Sequence, residues 1–206
     1  MADAERPQLY LVTPPEFELS TFPDRLASVM DSWEIACVRL AMATQDEDRL
    51  SRAADALREV SHARDVALVI DTHIAMAGKL GLDGVHLTDG ARSVRNVRKA
   101  LGVDTIIGSF CGISKHEGMN AAESGADYVA FGPSGGTSLG DGSQAKPSLF
   151  KWWSEMIEVP VAAEGALSVD VVRDLASFTD FFAVGEEIWR SDDAVAALAE
   201  LVAAMS

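Results

Sequence analysis

The chain alternates eight times between a short apolar run and a longer amphipathic stretch, and this limits its folding more than any other feature. The runs predict strands at 9–12, 35–40, 67–70, 84–87, 105–110, 127–131, 159–163 and 181–184. They are continuously apolar rather than alternating, as expected of strands covered on both faces. The intervening stretches predict helices at 21–33, 46–62, 74–80, 93–101, 116–124, 148–157, 168–177 and 192–205. In the second of these, Leu50, Ala53, Ala54, Leu57 and Val60 recur at steps of three and four, which places them on one helical face. Strict alternation of strand and helix requires a parallel sheet. Eight such units in 206 residues fit a compact (β/α)₈ TIM barrel of one domain better than an open sheet. With 48% hydrophobic residues the chain can fill such a core.

Seventeen basic residues against 32 acidic ones leave a formal charge of −15, which excludes nucleic acid and anionic membrane as expected partners, since both need a basic face. No apolar run approaches the ~18 residues of a membrane span, and the charged start MADAERPQ does not resemble a signal peptide, so a cytoplasmic protein is expected. Cys37 and Cys111 lie far apart and read as free buried thiols. No Cys/His spacing of metal-binding type accompanies them, so the residues predict no metal site.

Barrel sites are built at the C-terminal ends of the strands. The longest connection there, 132–147 after strand six, is rich in Gly and Ser and offers Ser134, Thr137 and Ser138. After strands seven and eight, Gly165, Ala166, Gly185 and Glu186 form turns of the kind whose amides hold a phosphate in many barrels. Glu164 and Glu186 oppose that role electrostatically. After strand three, Asp71 and His73 offer a carboxylate–imidazole pair for proton transfer, or else Asp71 or Thr72 caps the next helix. Arg39, if it faces the barrel interior, needs an anionic partner, for which Glu164 and Asp71 are the natural choices. His86, inside a strand, reads as a satisfied core histidine, and Trp152–Trp153 as packing or a face for a homodimer.

Taken in order, the strand-end strings resemble the thiamine-phosphate synthase family, including its thiazole tautomerase branch. They are LYLVT at 9–13, VRL at 38–40, LVIDTH at 68–73, DGVHL at 83–87, LGVDTIIGS at 101–109, SGADYVAFGP at 124–133, VPVAAEGAL at 159–167 and FAVGEEI at 182–188. The resemblance implies a (β/α)₈ barrel and a transferase. That enzyme joins hydroxymethylpyrimidine pyrophosphate to a thiazole phosphate and releases pyrophosphate. It also implies a small phosphorylated ligand, with Mg²⁺ and Arg or Lys side chains stabilising the leaving group.

The chain departs from the family at the positions that would supply those groups. The Gln-Leu-Arg string with its following Lys reads Arg39, Leu40, Ala41, Met42, Ala43. Asn-Asp-Arg reads Asp71, Thr72, His73, so a metal carboxylate becomes Thr72, and the second metal Asp aligns with Ala91. Thr-x-Thr-Lys in the strand-six loop reads Thr137, Ser138, Leu139, Gly140. Ile-Gly-Gly reads Glu164, Gly165, Ala166, and the Ser after strand eight aligns with Glu186. The tautomerase branch carries a histidine after strand five, where this chain has Cys111-Gly112-Ile113 with His116 nearby. Mg²⁺ is therefore implied by resemblance alone, without its ligands. Three functions are expected to compete. The first is the family transfer, with Arg39, Asp71 and His73 as candidate catalytic residues. The second is a non-catalytic or re-purposed barrel that senses ligands or serves a partner in thiamine metabolism. The third is an acid/base enzyme of tautomerase type.

Overall fold

The computed structural model describes residues 6–136 and 142–206. Eight parallel strands close into a barrel in chain order. They are β1 (Gln8–Val12), β2 (Ile35–Leu40), β3 (Ala67–Asp71), β4 (Gly84–Leu87), β5 (Ile106–Phe110), β6 (Tyr128–Phe131), β7 (Val161–Glu164) and β8 (Phe181–Val184). The ring is completed by β1 pairing with β8, Leu9 opposite Phe182 and Leu11 opposite Val184. The helices are α1 (Phe22–Ser32), α2 (Glu47–His62), α3 (Ile74–Leu80), α4 (Val94–Leu101), α5 (Lys115–Glu123), α6 (Pro147–Met156), α7 (Val169–Leu175), α8 (Glu186–Trp189) and α9 (Ala194–Ala204). Among the described residues, no helix is long and apolar enough to cross a membrane.

Strand periodicity sorts the side chains into two apolar regions. Leu11, Val38, Leu68, Val85, Ile107, Val129 and Val161 face outward and pack under the helices. Tyr10, Val69, Tyr128, Ala130, Ala162 and Ala183 face inward and fill the axis. The inner set is mostly small, and two tyrosines fill what the alanines leave. Gly108 makes this possible, because a Cβ there would lie 2.0 Å from Cζ of Tyr128.

A recurring carboxylate device ties the strands together at the other end of the barrel. Asp83, Asp127 and Asp180 each immediately precede a strand, and each accepts an N–H from the strand before it. The donors are Leu68, Ile107 and Val161, all at 2.7 Å. Asp83 also meets the His62 ring at 2.8 Å, and Asp127 meets Arg98 at 2.6 Å. These aspartates satisfy backbone donors that the barrel rim would otherwise leave open.

Four of the eight predicted helices, those at 21, 46, 93 and 168, start one residue too early because their first residues are N-caps, and the last starts two residues too early because its cap is Asp193. Asp46 accepts from the amides of Asp48 and Arg49, Ser168 from Val171, and Asp193 from Ala196. Strand seven starts at Val161 rather than at 159, since Pro160 has no N–H for the ladder. Asp71 belongs to β3 rather than to the turn after it, and the N-cap of α3 is His73, without a side-chain capping bond. The helix-cap role for Asp71 or Thr72 is therefore corrected. The short helix α8 was not foreseen, because one turn is too brief to show any periodicity. Both cysteines are free thiols, as expected, though only Cys111 is buried and Cys37 is partly exposed. Trp153 is fully buried against Phe131 and Phe150 and donates its indole N–H to the Val159 carbonyl at 2.7 Å. Trp152 is half-buried under the Lys115 ammonium, 4.3 Å from its ring centre.

Candidate functional site at the barrel mouth

At the C-terminal end of the strands, Arg39 points into the barrel with 7% of its surface exposed. Its Nη1 donates to Oε2 of Glu164 at 2.9 Å, and its Nε stands 3.4 Å from Oδ1 of Asp71. The guanidinium also lies over the Tyr10 ring, 5.6 Å from its centre. Three strands thus contribute one cation and two carboxylates to one buried cluster. Both partners expected for Arg39 lie within ion-pair distance, Glu164 hydrogen-bonded to it and Asp71 held by charge alone, since the Arg39 Nε and Asp71 Oδ1 are buried without a hydrogen bond. Burial disfavours the charged guanidinium, but Glu164, Tyr10 and Asp71 outweigh it and hold the Arg39 pKa well above its usual value.

Asp71 behaves unlike an ordinary ion-paired carboxylate. Burial pushes its pKa up to about 6, with Glu164 adding to the rise while Arg39 and His73 oppose it. Two carboxylates share one cation here, and the less favourably placed one holds its proton into the mildly acidic range. His73 does not complete the expected carboxylate–imidazole pair. Its Nδ1 donates to the backbone carbonyl of Asp71 at 2.7 Å.

Beneath this cluster runs a chain of buried polar groups. The Tyr10 and Tyr128 hydroxyls are 2.6 Å apart, and Nδ1 of His86 lies 2.8 Å from the Tyr128 hydroxyl. Burial and then the nearby Arg39 push the His86 pKa well below its normal value, so the ring is neutral. Burial raises both tyrosines. His86 is only half satisfied, because its Nε2 is buried without a hydrogen-bond partner. Tyr10 and Tyr128 were not singled out from the sequence. Their inward phase, two residues from Val12 and Ala130 respectively, is the signal that would have marked them.

The turns after β7 and β8 carry the other half of the mouth. Gly165 and Ala166 both have left-handed backbone, with φ of 82° and 52°. The amide of Ser134 donates to the carbonyls of Glu164 and Gly165 at 2.9 and 3.0 Å, and that of Gly135 to Gly165 at 3.1 Å. The strand-six loop is thus clamped onto the strand-seven turn so closely that a Cβ on Gly135 would sit 1.8 Å from the Ala166 oxygen. The Ser134 hydroxyl is buried there with no partner. Thr137 and Ser138 lie outside the described residues. Glu186 does not enter the site, since it is exposed and pairs with Arg190. The next residue takes the place expected of it. Glu187 accepts the Gly185 amide at 2.7 Å through Oε2 and the Leu167 amide at 3.1 Å through Oε1.

Elsewhere on the rim, the loops after β4 and β5 border an open pocket of about 520 Å³ lined by Asp89, Arg92, Cys111 and Glu117. Glu117 accepts the Ala91 amide there at 3.1 Å. Burial pushes the Cys111 thiol up to about 11, which leaves it protonated and unreactive. His116, exposed and 3.1 Å from the Asn120 amide, brings no imidazole to the mouth.

The residues present do not fit the Mg²⁺ implied by the resemblance. Asp71 faces a guanidinium, Asp89 accepts from the Ser93 hydroxyl at 2.6 Å, and Thr72 and Ala91 carry no carboxylate. No group of three or more His, Cys, Asp or Glu residues able to hold a metal occurs among the described residues.

The family profile described as thiamine monophosphate synthase matches residues 9–188. A thiamine-phosphate synthase of Rhodospirillum centenum is 38% identical over 184 residues, covering 88% of this chain and 89% of that protein. A thiamine-phosphate synthase of Erythrobacter litoralis is 37% identical over 213 residues, covering 99% and 100%. Among solved structures, the thiamine phosphate pyrophosphorylase of Pyrococcus furiosus superposes with a TM-score of 0.81 at 20% identity, covering 96% of this chain and 95% of that one. At that identity the superposition speaks for the fold alone.

Proposed function

This chain belongs to the thiamine monophosphate synthase family, and from that premise we propose a thiamine-phosphate synthase-like barrel that binds a small phosphorylated ligand of thiamine metabolism without the pyrophosphate-releasing transfer. The observation that carries this reading is the engagement of Arg39 with both Glu164 and Asp71. In the family reaction, pyrophosphate leaves a benzylic-type carbon while negative charge grows on the leaving group. Uncommitted positive charge must meet it. Here the buried guanidinium is already neutralised, and an approaching pyrophosphate meets two carboxylates before it meets the cation. Mg²⁺ would supply the missing charge, but Asp71, Thr72 and Ala91 do not form its ligand set, so no step is assigned to it. Losing even one such stabilising group costs ~10²–10³ in rate. What the residues support is binding, with the turns at Gly165–Leu167 and Gly185 facing the ligand's anionic group and Tyr10, Tyr128 and His86 as a rigid floor.

A second reading, the family transfer itself, is favoured by those same turns, which stand where barrels hold a phosphate. One assay separates the two. The chain at high concentration is mixed with hydroxymethylpyrimidine pyrophosphate, thiazole phosphate and Mg²⁺, and pyrophosphate release is followed beside thermal shifts with each ligand. Binding without transfer predicts stabilisation by thiazole phosphate that is equal with and without Mg²⁺, and no release above background. Mg²⁺-dependent release would establish the transferase.

A further inference from the structure

We propose that Glu187 is a resident anion that a phosphate must displace from the strand-seven and strand-eight turns, and that it thereby sets how well the mouth accepts phosphorylated over unphosphorylated ligands. The proposal rests on the reading that the mouth binds a phosphorylated ligand. Its carboxylate accepts two amides from different loops, Leu167 after β7 and Gly185 after β8. That is the bidentate geometry a phosphate's oxygens would use at the same donors. A second observation comes from the adjoining strand-six loop, which is clamped onto the strand-seven turn. The Ser134 hydroxyl is buried to 8% exposure without a partner, on a loop whose own amides are clamped to the Gly165 carbonyl. A buried hydroxyl left open in this way is costly unless something else fills its bond.

The surroundings make the exchange possible without making it easy. Glu187 also lines a pocket of about 520 Å³ shared with Ser168 and Ser191, so the displaced side chain has room to turn out. Asp193 and Glu200 line that pocket too, and their charge adds to the repulsion a phosphate meets. A neutral alcohol in the phosphate's position would leave Glu187 in place and avoid this cost.

The test uses the full chain as wild type, Glu187→Gln and Glu187→Ala, titrated with inorganic phosphate, thiazole phosphate and the unphosphorylated thiazole alcohol, with Kd and Tm read for each. The expected result is that both variants bind phosphate and thiazole phosphate about tenfold tighter or more than wild type, while affinity for the alcohol stays level. Glu187→Gln keeps the side chain's volume and one acceptor, so it remains informative if Glu187→Ala folds poorly. A purely structural tie predicts a lower Tm in both variants with phosphate affinity unchanged, and would overturn the proposal. Equal, measurable phosphate binding by all three proteins would also overturn it while leaving the ligand-binding function intact. Failure of every protein to bind either phosphate probe would remove both.

Discussion

Asp71→Asn tests the electrostatics of the mouth directly. The Asp71 pKa rises from 3.8 to about 6 on folding, because burial and Glu164 together outweigh Arg39. A shift of about two units corresponds to roughly 3 kcal/mol. The sign follows from proton binding. Between about pH 4 and 6 the folded state keeps a proton that the unfolded chain has lost. Stability from this group is therefore fully present below pH 4 and disappears as the pH rises through 6. Asn cannot ionise and shows none of this dependence. The wild type minus Asp71→Asn difference in unfolding free energy should therefore fall by about 3 kcal/mol from pH 4 to pH 7 and then level off. Urea unfolding at half-unit pH steps measures it. A flat difference would show that Asp71 ionises normally. A difference that rises with pH would show that the 3.4 Å contact with Arg39 dominates, and the account of two carboxylates sharing one cation would be wrong.

Three further outcomes follow from the same geometry. Arg39→Met should cost about 3–5 kcal/mol at pH 7 in urea unfolding, because it leaves Glu164 and Asp71 buried without a counter-ion, and adding Glu164→Gln and Asp71→Asn should recover most of that loss. Ala166→Gly should gain about 1 kcal/mol, seen as a Tm increase of about 2–4 °C, because glycine tolerates the φ of 52° that strains alanine. Gly108→Ala should cost about 1–3 kcal/mol or more, since its Cβ would meet Tyr128 at 2.0 Å, and Gly108→Ala/Tyr128→Leu should recover part of it in the same thermal assay.

The architecture was legible because each buried strand must be apolar on both faces, so eight continuous runs stand out without reference to tertiary contacts. Elements defined by something other than an apolar run were less visible. Asp71 reads as the end of a run yet completes β3, and α8 is a single turn held between β8 and α9. The same division applies to the mouth. The pairing of Arg39 followed from strand phase and from the cost of a lone buried charge, and both need only local information. The Tyr10–Tyr128–His86 chain joins β1, β6 and β4 across the axis, and no spacing along the sequence encodes a contact across a closed barrel. The choice of Glu187 over Glu186 is decided by one residue's rotation at the start of α8, below what a pattern of two adjacent glutamates can distinguish.

The net charge of −15 acquires a structural meaning once its carboxylates are located. Asp83, Asp127 and Asp180 accept strand amides at the N-terminal rim, and Asp46 and Asp193 cap helices. Those five serve the backbone and would be needed whatever the barrel binds. Glu164, Asp71 and Glu187 differ, because they stand at the C-terminal mouth where the family's chemistry calls for cations and open amides. Glu164 and Asp71 pair with Arg39, and Glu187 holds the Leu167 and Gly185 amides, the groups to which the proposed function assigns the ligand's phosphate. A random drift of surface charge would scatter such changes over the fold. Here three carboxylates act on one cation and one pair of amides, so their effects fall on the same function. Under the proposed function they bear on phosphate affinity as well as on the stability that the Arg39 cluster carries.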